Sequence, residues 1–396
     1  MRARLFALLA TAAIAAPAAA FAAPGGDLII DARLRYEFVD QADFAQSATA
    51  LTLRTRAGYE TPAWEGFKAL VEAEAVAPFV DDYNSSTNGL TTFPSVPDPR
   101  GVEINRAQLS WAGQGVDVTV GRQRIILGNA RFVGNAGFRQ NEQTFDAARL
   151  TWKPSPNFTA TYAYIDNVRR IFGDDHPLGV LASNSHILQA DAKFGTVQAS
   201  AYAFLLDFRN APTLSSATYG LRVTGAAPVA TGVTLTYELE YARESDYGDN
   251  PANFSVDYQA AGLGLKRGPT QVSLGYERLG SNGSVSFQTP LATLHAFQGW
   301  ADVFLTTPAL GVREVNLRAA TTIPTIRPQR PMRLQVGLYD FAAARGGARL
   351  GQELNFAATW PLTNHLTAEL AAARFDGAQP AYPDRTKVWL TIEVKY

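Results

Sequence analysis

The chain has 396 residues, of which 46% are hydrophobic, and its formal net charge is −1. This length and composition provide for one large core or two ordinary ones and exclude an intrinsically disordered chain. The balanced charge gives no indication of a nucleic-acid partner, and the absence of cysteine excludes disulfides, thiol nucleophiles and thiolate metal sites.

The N-terminus has the pattern of a secretory signal peptide. Two arginines, Arg2 and Arg4, precede an apolar segment at residues 5–16. Ala20 and Ala22, on either side of Phe21, form a small-residue cleavage site. An N-terminal membrane anchor is the alternative, but the apolar segment is too short to span a bilayer. We therefore predict a signal peptide at residues 1–22, followed by a single exported domain at 23–396 that contains no membrane-spanning helix.

The first two mature segments alternate strictly between apolar and charged residues. In residues 28–38 six apolar side chains fall on one face of a strand, while Asp31, Arg33, Arg35 and Glu37 fall on the other together with Ile29. Residues 48–60 repeat this pattern with Arg54 and Arg56 on the charged face. In a soluble sandwich the apolar face would need a second sheet, whereas a bilayer covers it directly.

The rest of the chain continues as alternating segments of a length that crosses a bilayer when tilted. Short connections, such as residues 113–115 and 153–157, alternate with long polar ones at 81–100, 128–143 and 165–185. Nineteen segments can be counted, but single-chain bacterial barrels have an even number of strands. We therefore assign the weakest segment, residues 299–306, to a long loop at 279–311. The prediction is an all-β fold, a transmembrane antiparallel β-barrel of about 18 strands with short periplasmic turns and long extracellular loops.

The C-terminal segment, residues 386–396, is the predicted closing strand. Val388, Leu390 and Ile392 share one parity, which we expect to face lipid, while the polar parity faces the lumen. Pairing with residues 28–38 would close the barrel and set Glu393 and Lys395 beside Arg33 and Arg35. Eighteen strands enclose a lumen wide enough for water rather than a packed interior.

Candidate functional residues concentrate between Gly121 and Arg149. This segment contains five arginines, and arginine engages carboxylates through a planar fork of donors. The alternative is that these arginines pair with acids such as Glu142 and Asp146 and only neutralise the wall. With the inward arginines of other strands, the predicted pore-lining, anion-selective set is Arg33, Arg35, Arg54, Arg56, Arg106, Arg122, Arg124, Arg131, Arg139 and Arg149.

Two members of that set, Arg122 and Arg124, share the parity of the outward-facing Val116, Val118 and Val120. They lie above the lipid band or a bulge turns them inward. Because a charge facing lipid at mid-depth costs about 2–4 kcal/mol, we expect both to point into the lumen.

Acids are equally frequent on the inward parity, among them Glu72, Glu240, Glu277 and Glu353. A lumen of mixed sign is also compatible with a transverse field across a general diffusion pore. The four histidines lie in no recognisable catalytic motif, and the acidic loop residues have no complete metal-ligand spacing. We predict no enzymatic activity, no cofactor and no metal.

The run GRQRI, the loop sequence NARFVGNAGFRQNEQTFDAAR, the segment GWADVFLTTPALGVREVNL and the final strand together resemble the alginate export family. The resemblance covers most of the mature chain. It implies an eighteen-stranded outer-membrane barrel with a positively charged lumen that passes an anionic polysaccharide, and with inward loops or turns acting as plugs.

The predicted function is passive passage of anionic solutes, including a polysaccharide such as alginate or its oligomers, across the outer membrane of a Gram-negative bacterium. The expected partners are outer-membrane lipids and an anionic sugar or polysaccharide, with no nucleic acid, and the expected state is a monomer. A general diffusion porin with weak ion selectivity is the alternative within transport. A soluble exported β-sandwich that binds carbohydrate or mediates adhesion is the alternative of another class.

Overall fold

The computed structural model describes residues 25–396, which form eighteen β-strands and two short 3-10 turns. The predicted signal peptide lies outside the described residues. In chain order the strands are β1 Asp27–Gln41, β2 Ala48–Glu60, β3 Phe67–Asp82, β4 Gly101–Gly113, β5 Val116–Gln123, β6 Thr144–Ser155, β7 Phe158–Arg169, β8 Val180–Phe194, β9 Val197–Leu206, β10 Ser216–Ala230, β11 Val233–Asp246, β12 Ser255–Arg267, β13 Thr270–Leu279, β14 Val312–Ile323, β15 Met332–Ala342, β16 Arg349–Pro361, β17 Leu366–Gly377 and β18 Arg385–Lys395.

The strands form one closed antiparallel barrel. Each strand pairs with its neighbour in sequence, and β18 pairs with β1 to complete the ring. The prediction of an eighteen-stranded barrel closed by the C-terminal strand is therefore confirmed, and the soluble β-sandwich alternative is wrong. In the closing register Arg33 lies opposite Glu393, as predicted, whereas Lys395 lies opposite Asp31.

The outer surface of the barrel is apolar. Large side chains point outward along the strands, including Leu239 and Leu390, which are 59% and 51% exposed. A continuous belt of exposed leucine, valine and isoleucine is unfavourable in water and is the surface that a bilayer covers. The predicted outer-membrane barrel is confirmed in this respect. Within residues 25–396, no helix is long and apolar enough to cross a membrane.

The two rims of the barrel differ in the length of their connections. One rim carries the start of β1, the end of β18 and eight connections of two to eight residues, five of which have two residues. The other rim carries the long loops. The predicted long loop at residues 165–185 is shorter than expected, because β7 and β8 extend through Arg169 and from Val180. Ile165 and Leu181 are fully buried against the interior, which explains why the strands continue to these positions.

Two long-rim loops fold into the barrel, and we call them loop A (residues 124–143) and loop B (residues 280–311). Residues 299–306 lie in loop B and not in a strand, as predicted. The loops join through a bridge between Val133 and Leu291, where the Gly134 amide donates to the Leu291 carbonyl at 2.9 Å. The expectation of an open aqueous interior is therefore only partly met, since these loops occupy much of the lumen.

A hydrophobic core fixes the loops to the inner wall. Phe132 of loop A packs within 5.2 Å of the Tyr258 ring and 5.9 Å of Phe287 in loop B. Phe304 of loop B packs against Phe341 at a centroid distance of 4.8 Å. Because burial of such rings is strongly favourable, the loops are part of the folded interior rather than surface appendages.

Candidate pore site

A cavity of about 650 Å³ opens between loop A and the inner face of β1–β4, β17 and β18, on the short-turn side. We call it the arginine cavity. Its basic residues include six of the ten predicted arginines, and acids stand among them. The charged lining residues are Arg33, Arg35, Arg54, Arg56, Arg106, Arg124 and Lys395, with Asp31, Glu72, Glu142, Glu369 and Glu393.

Strand alternation and register bring the first four arginines together. Arg33 on β1 lies directly opposite Arg54 on β2, a like-charge pair that would be unfavourable alone. Arg54 donates to Asp31 at 2.5 Å and to Glu393 at 3.1 Å. The carboxylates on either side therefore offset the repulsion between the two guanidinium groups.

A second charge network lies where β3 and β4 face loop A. Arg106 binds Glu72 through two hydrogen bonds of 2.7 and 3.0 Å, and Arg124 Nε donates to Glu142 at 2.6 Å. Asn105 donates to both carboxylates, at 2.7 and 2.6 Å. A bulge in the β3–β4 register leaves Asn105 without a partner residue on β3, so that Asn105 and Arg106 both reach the interior.

Glu142 of loop A is held in its ionised form by this network. Burial alone would raise the pKa of the Glu142 carboxyl, but Arg56 and Arg124 outweigh that effect and lower the pKa to about 2. Arg56 also hydrogen-bonds Glu74. The carboxylates on this side of the cavity are thus engaged by arginines, and the predicted alternative of a neutralised wall describes this side.

Arg33 and Arg35 differ from the others because backbone carbonyl oxygens take up their donors. Arg33 donates to the Gly137 carbonyl at 3.0 Å and to Gln140 Oε1 at 2.9 Å, while Arg35 donates to the Phe138 carbonyl. The Arg35 guanidinium lies 4.3 Å above the Phe138 ring. Within residues 25–396, Arg35 has no carboxylate within 4.0 Å, and the one near Arg33, on Glu393, is 4.0 Å away.

Two predicted pore arginines instead anchor the loops. Arg131, 1% exposed, donates to Glu277 of β13 at 2.6 Å and to Thr289 of loop B at 2.9 Å. Arg139 is also buried, with carboxylates of Glu37 and Asp302 at 3.2 and 2.8 Å. Both attach loop A to its surroundings and neither lines the arginine cavity, so their predicted pore-lining role stays a prediction.

The remaining two predicted arginines do not line the arginine cavity. Arg122 keeps the outward parity of β5 and donates to Asp146 on β6 at 2.7 Å, with Arg169 3.2 Å from the same carboxylate. The expectation that Arg122 turns inward is wrong, whereas Arg124, just beyond the strand, does reach the interior. Arg149 points inward from β6, and its nearest described acceptor is the Arg124 carbonyl at 3.5 Å.

A buried charge cluster joins loop A, loop B and the closing strands, and we call it the latch cluster. It consists of Glu37, Arg139, Lys387, Asp302 and His295. Asp302 accepts hydrogen bonds from Arg139, Lys387 and His295 at 2.8, 2.7 and 2.7 Å. Burial alone would raise the pKa of Asp302, but its basic neighbours outweigh that effect and hold the pKa well below its usual value.

The latch cluster includes residues that were not predicted as functional from the sequence. Lys387 and Glu37 lie on the inward parity, which is a signal that was available. Asp302 and His295 lie in loop B, where no alternation exists to indicate direction, and His295 stacks on Phe138 of loop A at 3.5 Å. Only the tertiary packing of the two loops brings them together.

Among the residues that the structure describes, no group of three or more His, Asp or Glu side chains could hold a metal ion. The inward acids Glu277 and Glu353 hold the loops. Glu277 accepts from Arg131, and Glu353 accepts from the backbone amide of Ala301 at 3.1 Å. The interior chemistry is that of charged and hydrogen-bonding side chains around a restricted lumen.

Solved structures share this fold. OccAB4 of Acinetobacter baumannii aligns with a TM-score of 0.73 at 12% identity, over 94% of this chain and 98% of that chain. OpdL of Pseudomonas aeruginosa aligns with a TM-score of 0.71 at 15% identity, over 94% and 98%. OccD3 (OpdP) of Pseudomonas aeruginosa aligns with a TM-score of 0.70 at 15% identity, over 94% and 91%.

No family model matches the sequence, and no curated protein matches it significantly. At identities this low, the structural similarity establishes the fold alone. It supports the outer-membrane barrel expected from the resemblance noted above, whereas the alginate export family is not represented among these neighbours.

Proposed function

We propose that the protein is a passive outer-membrane channel for small anionic solutes, acting as a monomer without a cofactor. The observation that carries this proposal is that the positive charges of Arg33 and Arg35 are not neutralised by close carboxylates. Both line the arginine cavity, and their donors are taken up mainly by loop A carbonyl oxygens, which do not cancel a full positive charge. A net positive wall in a narrow aqueous passage attracts anions.

The packed loops favour small solutes over a polymer. Loops A and B are joined by hydrogen bonds and by aromatic contacts inside the barrel, so they narrow the space through which a solute can pass. Passage of an anionic polysaccharide such as alginate would require both loops to leave the interior together. We therefore propose anionic sugars or short oligomers as solutes before the polymer.

A general diffusion pore with weak ion selectivity is the second candidate. It is supported by the nearly balanced charges that line the arginine cavity, which has five acidic and seven basic residues. The two candidates differ in sign preference, because a general pore would pass potassium and chloride at similar rates.

The test is the reversal potential of the purified protein in planar bilayers under a potassium chloride gradient. We expect anion preference in the wild type and a clear shift toward cations in the double variant Arg33→Gln, Arg35→Gln. Gln140→Ala is the matched control, since it removes the Arg33 partner at 2.9 Å and loosens loop A without changing charge. Equal permeabilities in the wild type, or a shift of equal size in the control, would contradict the proposal.

A further inference from the structure

A second, smaller cavity lies on the inner wall three strands away from the closing strand β18. It has a volume of about 210 Å³ and is formed by the inner face of β13–β15 beneath loop B. This is about the volume of seven water molecules, so a single small solute fits. Six side chains define its chemistry: Arg318, Arg333, Gln271, Gln335, Trp300 and Tyr339.

Strand register brings both arginines to this cavity. Arg318 continues the inward face of β14 after the buried Asn316, and Arg333 shares the inward face of β15 with Tyr339. Arg318 pairs in register with Gly337, so the two arginine Cα atoms are offset by four residues, or about 13 Å, along the strands. Gln335 lies between these two positions on the same inward face of the sheet.

The electrostatic state of this pair differs from that of the arginine cavity. Among the ion pairs within 4.0 Å in residues 25–396, none includes Arg318 or Arg333, and no acid lines the cavity. The nearest inward acid along β14, Glu314, accepts a hydrogen bond from Asn316 at 2.6 Å. Two full positive charges therefore face one small aqueous volume.

The remaining lining groups are held in place and can form hydrogen bonds. The Trp300 backbone amide donates to Glu353 at 2.5 Å, which holds this part of loop B against β16. Gln271 and Gln335 supply side-chain amides that can both donate to and accept from hydroxyl groups. The Trp300 and Tyr339 rings offer apolar surface for the carbon skeleton of a solute.

We propose that this second cavity binds small organic dianions, and that sugar phosphates are the class it fits best. A phosphate monoester carries about −1.5 to −2 charges near pH 7, which matches two guanidinium groups without acidic partners, and its oxygens suit the arginine fork. The amides then contact the sugar hydroxyls. The inference rests on the proposed function in one respect, because a solute reaches the cavity only through the lumen.

The test is block of the open channel in planar bilayers by three solutes with the same ring size and different charge. We expect glucose 6-phosphate, a dianion, to block at lower concentration than glucuronate, a monoanion, and glucose to block least. In Arg318→Gln and Arg333→Gln we expect the half-blocking concentration of glucose 6-phosphate to rise about tenfold, equivalent to about 1.4 kcal/mol. Arg318→Lys should give a smaller increase, since it keeps the charge and loses the fork.

Arg313→Gln is the matched control, because Arg313 lies on the same strand with the opposite parity and its loss changes the net charge equally. Equal block by glucuronate and glucose 6-phosphate in the wild type, or no change in Arg318→Gln and Arg333→Gln, would overturn the inference. The reversal potential in potassium chloride is measured without sugars and reports the proposed function separately. An anion-selective channel that glucose 6-phosphate does not block would refute the second site alone.

Discussion

Replacement of Asp302 by asparagine should release the inner loops from the barrel wall. The latch cluster contains two acids, Glu37 and Asp302, and two permanent cations, Arg139 and Lys387, so its charges cancel. Asp302→Asn keeps the size of the side chain and removes one negative charge. One buried cation is then left without a counter-charge.

The expected magnitude follows from the contacts of Asp302. It binds both cations at 2.8 and 2.7 Å while its side chain is almost completely buried. Removing one partner from a buried ion pair typically costs about 3–5 kcal/mol. Because loops A and B lie outside the strand pairing, we expect the cost to appear mainly as loop release and only partly as unfolding of the barrel.

Single-channel recording measures this directly. We expect Asp302→Asn to show a larger mean conductance and frequent transitions between conductance levels, together with unchanged heat-modifiable migration of the barrel on a gel. Asp174→Asn is the control, since Asp174 forms a comparable pair with Arg169 at 2.9 Å on the exposed long-loop rim. A conductance trace and a urea midpoint that both match the wild type would refute the assignment of the latch cluster as the anchor of the loops.

Two further predictions concern loop A and the lipid face. The pKa of Glu142 is lowered to about 2, so its contribution to stability is complete above about pH 4.5 and is lost as the pH falls toward 2. The conductance of the wild type should therefore stay constant from pH 7 to 4.5. A rise in conductance within that range that Glu142→Gln abolishes would contradict this prediction. Leu239→Arg should destabilise the barrel in bilayers by about 2–4 kcal/mol in urea titrations, whereas Leu239→Phe should have little effect, because Leu239 faces lipid.

The sequence was sufficient to predict the barrel because a bilayer imposes a strict rule on every strand. Alternation placed Arg33, Arg35, Arg54 and Arg56 on the inner face, and the structure has all four there. The parity of residues 386–396 likewise predicted closure against β1. These features depend on local alternation alone, which is readable along the chain.

For Arg122, alternation alone predicted an outward side chain, but the cost of a charge facing lipid led us to expect an inward one. We expected an outward charge to be too costly, but the cost falls to about 0–1 kcal/mol near the interface. Arg122 lies near the long-loop end of β5, and Asp146 stands opposite on β6. That pairing depends on strand register, which residue parity does not specify.

The anchoring contacts of the loops could not be predicted for a different reason. Arg131 and Arg139 belong to a segment without periodicity, and their partners Glu277 and Asp302 lie 146 and 163 residues away. Charge density suggested a selective lining, whereas the fold uses both arginines to attach loop A to the wall. Arginines that cluster in the sequence can therefore have different roles, some anchoring a loop and others lining the lumen. Only the tertiary contacts show which role each one has.

The distribution of carboxylates, rather than that of arginines, sets the sign of each part of the lumen. Where β3 and loop A supply Glu72 and Glu142, the guanidinium groups of Arg106 and Arg124 are neutralised. At the tip of loop A the available acceptors are carbonyl oxygens, which satisfy hydrogen-bond donors but carry no net charge. A positive surface persists there because neutral oxygens accept hydrogen bonds from the guanidinium groups without cancelling their charge. Arg35 can therefore be held in place and still attract an anion.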